Sequence, residues 1–190
     1  DTKKDIAYDW EDVLCAFDEL KAKATIEPFN KFDYRDFMAL ACYVLVKPMR
    51  SQDWLNSYIV WNAESERPTN ENCIDLFKRE LVLYESKTMK SFGVRKIQLP
   101  DELMDIITIW WVQTKSQYLF ATQNGQPMKN DAFSHYFSRI NTGLQMSPNT
   151  LRRLWISTHQ RDMTAEERAQ AAAEMGHSCA TQALTYTQND

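Results

Sequence analysis

Five polar side chains, far apart in this 190-residue sequence, carry groups that bind anions or move protons. Near the end, an alanine-rich run enters Glu174-Met175-Gly176-His177-Ser178, and Tyr186 follows nine residues after His177. Gly176 can take the left-handed conformation that stops a helix and Ser178 can open the next, so an imidazole and a phenol flank a sharp corner. Upstream, Ser147-Pro148-Asn149-Thr150-Leu151-Arg152-Arg153 joins a capping hydroxyl to a proline suited to the first helical position. Two adjacent arginines at the positive end of a helix dipole are unfavourable unless an anion lies nearby. Arg50 stands where Lys47-Pro48-Met49 breaks a buried helix, so its guanidinium can be held rigidly from below. Lys87 falls in a hairpin loop, from which its ammonium can swing into a neighbouring site. Read locally, each has a plainer account: a surface Arg, a solubilising Lys, a helix-to-helix turn with a partly buried Tyr.

The elements that must hold these groups follow from hydrophobic spacing. Trp10, Val13, Leu14, Phe17 and Leu20 recur at steps of three and four, which predicts a helix over residues 9–23. A second helix, capped by Asp33, carries Phe37, Leu40, Ala41, Val44 and Leu45 inward and ends before Pro48. Strands are expected at residues 57–63, 81–85 and 94–99, with the polar run from Glu64 to Asn72 as an exposed loop. Ser86 to Gly93 is the hairpin connection between the last two. Pro100-Asp101-Glu102 starts a helix striped by Leu103, Ile106, Ile107, Trp110 and Trp111. Asn130 caps another, with Phe133, Phe137 and Ile140, and Thr164-Ala165-Glu166-Glu167 is a capping box for the last. The expected fold class is mainly α with a small three-stranded antiparallel β-sheet, and residues 1–190 are expected to form a single domain.

Hydrophobic residues make up 44% of the sequence and aromatics 12%, with only four Gly and six Pro, which supports a packed core and argues against a disordered or fibrous chain. No apolar run approaches the roughly 20 residues of a membrane span, and the charged Asp1-Thr2-Lys3-Lys4-Asp5 start is no secretory signal. An intracellular protein away from membranes is expected. Cys15, Cys42, Cys73 and Cys179 form no C-x-x-C pair and read as reduced thiols rather than a zinc site. The net charge of −4 argues against indiscriminate polyanion binding. Even so, Lys87, Lys90, Arg95, Lys96, Arg139, Arg152, Arg153, Arg161 and Arg168 all fall in the second part, where folding can gather several into one positive face.

Taken in order, Arg50 after a buried helix, Lys87 in a hairpin, the Ser147-to-Arg153 helix start, Gly176-His177-Ser178 and Tyr186 resemble the catalytic domain of the tyrosine recombinase (phage integrase-like) family, over roughly residues 33–188. The resemblance implies the fold shared with type IB topoisomerases and a site-specific DNA recombinase or integrase of a virus or mobile element. It implies that DNA strands are cleaved and rejoined through a covalent 3′-phosphotyrosine. Tyr186 is then the nucleophile, Arg50 and Arg152 the fixed cations on the non-bridging oxygens, Lys87 the general acid for the leaving 5′ oxygen, and His177 a hydrogen-bonding partner of a phosphate oxygen. Asn149, Arg153 and Lys90 are further candidates for orienting the phosphate. The energy of the broken bond is kept in the phosphotyrosine, so no cofactor and no metal is expected, and neither a G-x-x-x-x-G-K-[ST] loop nor an H-E-x-x-H motif occurs. Double-stranded DNA is the implied partner, bound by a dimer or tetramer in the nucleus or cytoplasm of the host cell.

Two departures from the family pattern bear on the chemistry. Asn149 occupies the place of the usual His three residues before the second Arg, and an amide can orient a phosphate but cannot act as a base near neutral pH. Arg153 takes the place often held by a second His. The family's separate N-terminal DNA-gripping domain and its docking tail are not found in these 190 residues, which are expected to be an excised catalytic fragment. A type IB topoisomerase or telomere resolvase would share the chemistry. A DNA-binding descendant of the fold without cleavage, or a helical interaction domain, are the non-enzymatic readings. His135 and His159 have no spacing that ties them to the other candidates, and they read as structural or surface groups.

Overall fold

A computed structural model describes residues 6–66, 71–84 and 93–175. The chain opens on two long helices, α1 (Trp10–Ala24) and α2 (Lys31–Val44), followed by the short α3 (Ser51–Leu55). Strand β1 (Tyr58–Val60), a one-turn helix α4 (Ala63–Glu66), and strands β2 (Cys73–Asp75), β3 (Glu80–Leu83) and β4 (Arg95–Gln98) come next. Helices α5 (Asp101–Thr114), α6 (Asn130–Phe137), α7 (Pro148–His159) and α8 (Ala165–Glu174) complete the described chain.

A reciprocal capping box starts α1: the Asp12 backbone N–H donates to the Asp9 carboxylate at 3.0 Å, and the Asp9 N–H to Asp12 at 2.9 Å. Its stripe of Trp10, Val13, Phe17 and Leu20 is buried, with the Phe17 ring 5.3 Å from that of Phe37 on α2. Helix α2 starts earlier than its sequence suggests, because Asn30, not Asp33, caps it; the Asn30 Oδ1 accepts the Phe32 N–H at 2.9 Å. Asp33 instead pairs with Lys23 of α1 at 2.6 Å. From Phe37 through Tyr43 every residue of α2 is buried, so it runs through the middle of the core.

The sheet corrects the three-stranded antiparallel expectation. It has four strands in the order β1-β2-β3-β4, with β1 and β2 parallel and the remaining pairs antiparallel. The additional strand, β2, and the one-turn α4 both fall in or beside the run read from sequence as an exposed loop. Three wholly buried residues ending in an aspartate show no alternation to read, and a buried carboxylate resembles a turn signal. The Asp75 charge is tolerated because its oxygens accept the Ala63 and Lys78 N–H groups, each at 2.8 Å. Ile59, Ile74, Leu81 and Ile97 lie in register across the sheet and face the helical core. Val60, Cys73 and Val82 make a smaller cluster on the other face.

Asn130 is the first residue of α6 rather than its cap; its carboxamide oxygen accepts the Ser51 hydroxyl, which ties α6 to α3. Helices α7 and α8 start as the sequence predicts, on Ser147, whose Oγ accepts the Thr150 N–H at 3.1 Å, and on the Thr164/Glu167 capping box. No helix of the described residues is long and apolar enough to cross a membrane.

Candidate functional site

Pro48 and Met49 are buried where the chain leaves α2, and this anchors the backbone that presents Arg50. Arg50 is the cap residue of α3, in extended backbone, and Asp53 is the third helical residue after it. The Asp53 N–H donates to the Arg50 carbonyl at 3.0 Å, and the Arg50 backbone in turn hydrogen-bonds the Asp53 carboxylate. The short helix therefore locks a partly buried arginine to an aspartate that is only 4% exposed.

A second guanidinium comes from α7. Arg152 is 8% exposed, an unusual setting for a charge, and its Nη2 donates to the carbonyl of Met175 at 3.0 Å. A third comes from the sheet. On β4, Arg95 sits opposite Leu83 and shares the inward face with Ile97, and its Nη2 donates to the Glu174 carbonyl at 2.5 Å. Arg152 and Arg95 thus clasp the last carbonyls of α8, where the helix dipole is negative. Lys47, at the exit of α2, pairs with the Glu174 carboxylate at 2.5 Å.

These groups weigh on one another electrostatically. Burial first, and then the charge of Arg50, push the Arg152 guanidinium down to about 10 against the opposing pull of Tyr43 and Asp53. Arg95 is also lowered, first by burial and then by Arg50, against the pull of Asp53 and Glu174. Burial raises the Asp53 carboxyl, although Arg95, Arg50 and Arg152 all favour its charged form. Three arginines from three separate elements therefore bear on one buried carboxylate. An incoming anion would relieve both their mutual repulsion and the desolvation of Arg152 and Arg95. Tyr43, beside Arg152, is fully buried, and the loss of solvent raises its phenol well above the ordinary value.

Of the residues singled out from sequence, Arg50 and Arg152 are brought into one cluster. Asn149 and Arg153 lie on α7, exposed, within one turn of Arg152. Lys87, Lys90, His177 and Tyr186 lie outside the described residues. Asp53 was not singled out, and Arg95 was named only among the nine basic residues that folding could gather into one positive face. The signals for them are modest: an acid three residues after Arg50, and an arginine alternating with Ile97 on the inner face of a strand. His159 stacks on Trp155 at 4.6 Å and His135 is exposed on α6. Cys15 and Cys42 are free thiols, Cys179 lies outside the described residues, and among the described residues no group of three His, Cys, Asp or Glu side chains could hold a metal ion.

Comparison with known families falls on the same part of the chain. The Phage integrase family, the tyrosine recombinases, matches residues 69–190, more than half of the sequence, and the chain belongs to that family. Its members are in general enzymes that break and rejoin DNA, and membership implies DNA binding. The matched segment takes in Lys87, Asn149, Arg152, His177 and Tyr186, while Arg50 precedes it. No curated protein matches the sequence.

Proposed function

We propose that the protein is a site-specific DNA recombinase or integrase that cuts and rejoins strands through a 3′-phosphotyrosine on Tyr186. The observation that carries this reading is the convergence of Arg50 and Arg152 on one cluster, in a chain of the Phage integrase family. A phosphodiester attacked in line gathers charge on its non-bridging oxygens, and two guanidiniums fixed beforehand favour that state over the ground state. The Tyr186 oxygen bonds to phosphorus as the bond to the 5′ oxygen breaks; the phenolic proton leaves to solvent and Lys87 protonates the departing oxygen. His177 and Asn149 hydrogen-bond the phosphate, with Arg153 and Lys90 holding flanking phosphates. Rejoining runs the same steps backwards. Tyr43 is a poor alternative nucleophile, since its buried phenol resists ionisation and has no access to a duplex. Such an enzyme acts inside the host cell, as a dimer or tetramer assembled on its DNA.

The reading is tested with a pool of nicked duplexes of randomised sequence, from which the cut strand diffuses away and leaves the protein attached. A DNA adduct that resists denaturation is expected. It should vanish in Tyr186→Phe and form about 10²–10³-fold more slowly in Arg152→Ala. An adduct that survives Tyr186→Phe overturns the nucleophile. Measurable duplex binding with no adduct on any sequence replaces the enzyme with a DNA-binding descendant. Sequencing the captured strands gives the preferred site, and strand exchange between two such duplexes separates a recombinase from a topoisomerase or telomere resolvase.

A further inference from the structure

Among the described strands of the sheet, Arg95 is the one arginine. Its strand alternates, with Lys96 and Gln98 exposed and Arg95 turned inward beside Ile97. Its Nη2 is spent on the Glu174 carbonyl, its Nη1 is buried with no hydrogen-bond partner among the described residues, and Asp53 is the strongest charge attracting it. In the reverse direction, Arg95 is the cation that most favours the ionised form of Asp53, ahead of Arg50 and Arg152. One side chain therefore ties β4 to the carboxyl end of α8, while Arg152 reaches the next carbonyl of the same helix end.

We propose that Arg95 is a positioning residue for DNA cleavage: from the inner face of β4 it holds the carboxyl end of α8 and so fixes the neighbouring carbonyl on which Arg152 rests. This rests on the phosphate-binding role proposed above for Arg50 and Arg152. Without Arg95 the end of α8 loses its tie to the sheet, the Met175 carbonyl shifts, and Arg152 is no longer held against Arg50 in the geometry the phosphate needs. Misplacement of about 1 Å is enough to slow a preorganised reaction about 100-fold. Arg95 does not itself touch the phosphate, because its free donor is buried under the sheet face.

The test uses the duplex site recovered from the pool and compares the native protein with Tyr186→Phe, Arg152→Ala, Arg95→Met and Arg95→Lys. Adduct rate at saturating DNA, duplex affinity as a function of salt, and melting temperature are measured for each. Arg95→Met is expected to slow adduct formation about 100-fold, with the salt dependence of duplex binding unchanged, whereas a lost phosphate contact, as in Arg152→Ala, lowers that slope by about 1. Lys restores the charge but not the rigid planar fork that aims a donor at the Glu174 carbonyl, so Arg95→Lys should fold normally and recover only part of the rate; if Arg95→Met does not fold, this variant carries the test. A native rate in the variant overturns the proposal, and so does a salt slope that falls by about 1, which would make Arg95 a direct phosphate ligand. If the native protein itself forms no adduct, the cleavage reading fails and this inference falls with it; an adduct lost in Tyr186→Phe but indifferent to Arg95 sinks this inference alone.

Discussion

Arg79 and Arg152 show two ways of keeping an arginine in one small protein. Arg79, in the turn between β2 and β3, meets carboxylates from the first turns of α5: Asp101 at 2.7 Å and Asp105 at 2.9 Å, with the Asp101 carbonyl at 2.8 Å. Hydrogen bonding to Asp105, and then the charge of Asp101, raise its pKa. Arg152 has other arginines for neighbours, shares one carboxylate with two of them, and is lowered by burial. The first arrangement is matched group for group and holds a turn against a helix. The second gathers guanidiniums from three elements around one buried carboxylate. A buried cation cluster stabilises little by itself, and it gains most when an anion arrives.

The largest contrast is expected in paired substitutions. Arg152→Met should abolish measurable cleavage while the protein melts at or above the native temperature, because a buried charge gives way to an apolar side chain of similar length. Arg79→Ala should leave the adduct rate at the native value and lower the melting temperature by roughly 2 °C or less. If both substitutions reduce stability alike and both spare the chemistry, the contrast is wrong. Next in size is linkage: duplex DNA at about 100 times its dissociation constant should stabilise the native protein by about 2.7 kcal/mol, and should stabilise Arg152→Met less.

A smaller effect concerns pH. Burial raises the Asp53 carboxyl above its value in the unfolded chain, so the folded state holds that proton to higher pH. Its contribution to stability is full below the ordinary carboxylate value and is lost as pH rises through the raised one. In calorimetric scans from acid to neutral pH, the native protein should lose stability relative to Asp53→Asn over that window; parallel curves would show that Asp53 is not under this strain. Smallest of all, Asn149→His should leave the adduct rate unchanged or raise it, and a collapse would give the amide a dedicated role.

Much of the helical frame was legible because its signals are local. The stripe of Trp10, Val13, Phe17 and Leu20, the Ser147-Pro148 start and the Thr164 capping box each lie within a few residues of the element they define. The misreadings came where a choice depended on distant partners. Asn30 and Asp33 are both good caps, and the loss of Asp33 to Lys23 on another helix is not written nearby. The short β2 is a strand only because β1 and β3 flank it, and Asp75 is tolerated there only by two backbone donors. The site divides the same way. Arg50 and Arg152 could be named from their places at helix starts, whereas Arg95 acquires meaning only when register turns it inward beneath the end of α8.

The central claim is that the Arg50 and Arg152 cluster activates one phosphodiester toward one tyrosine. The most direct measurement is to trap the protein on its nicked duplex, digest the adduct, and identify by mass spectrometry the residue that carries the nucleotide. The account predicts a 3′-phosphate esterified to Tyr186 and to no other tyrosine, in yields that fall with Arg152→Ala. A nucleotide found on a different residue, or an adduct formed as fast without Arg152, would contradict it.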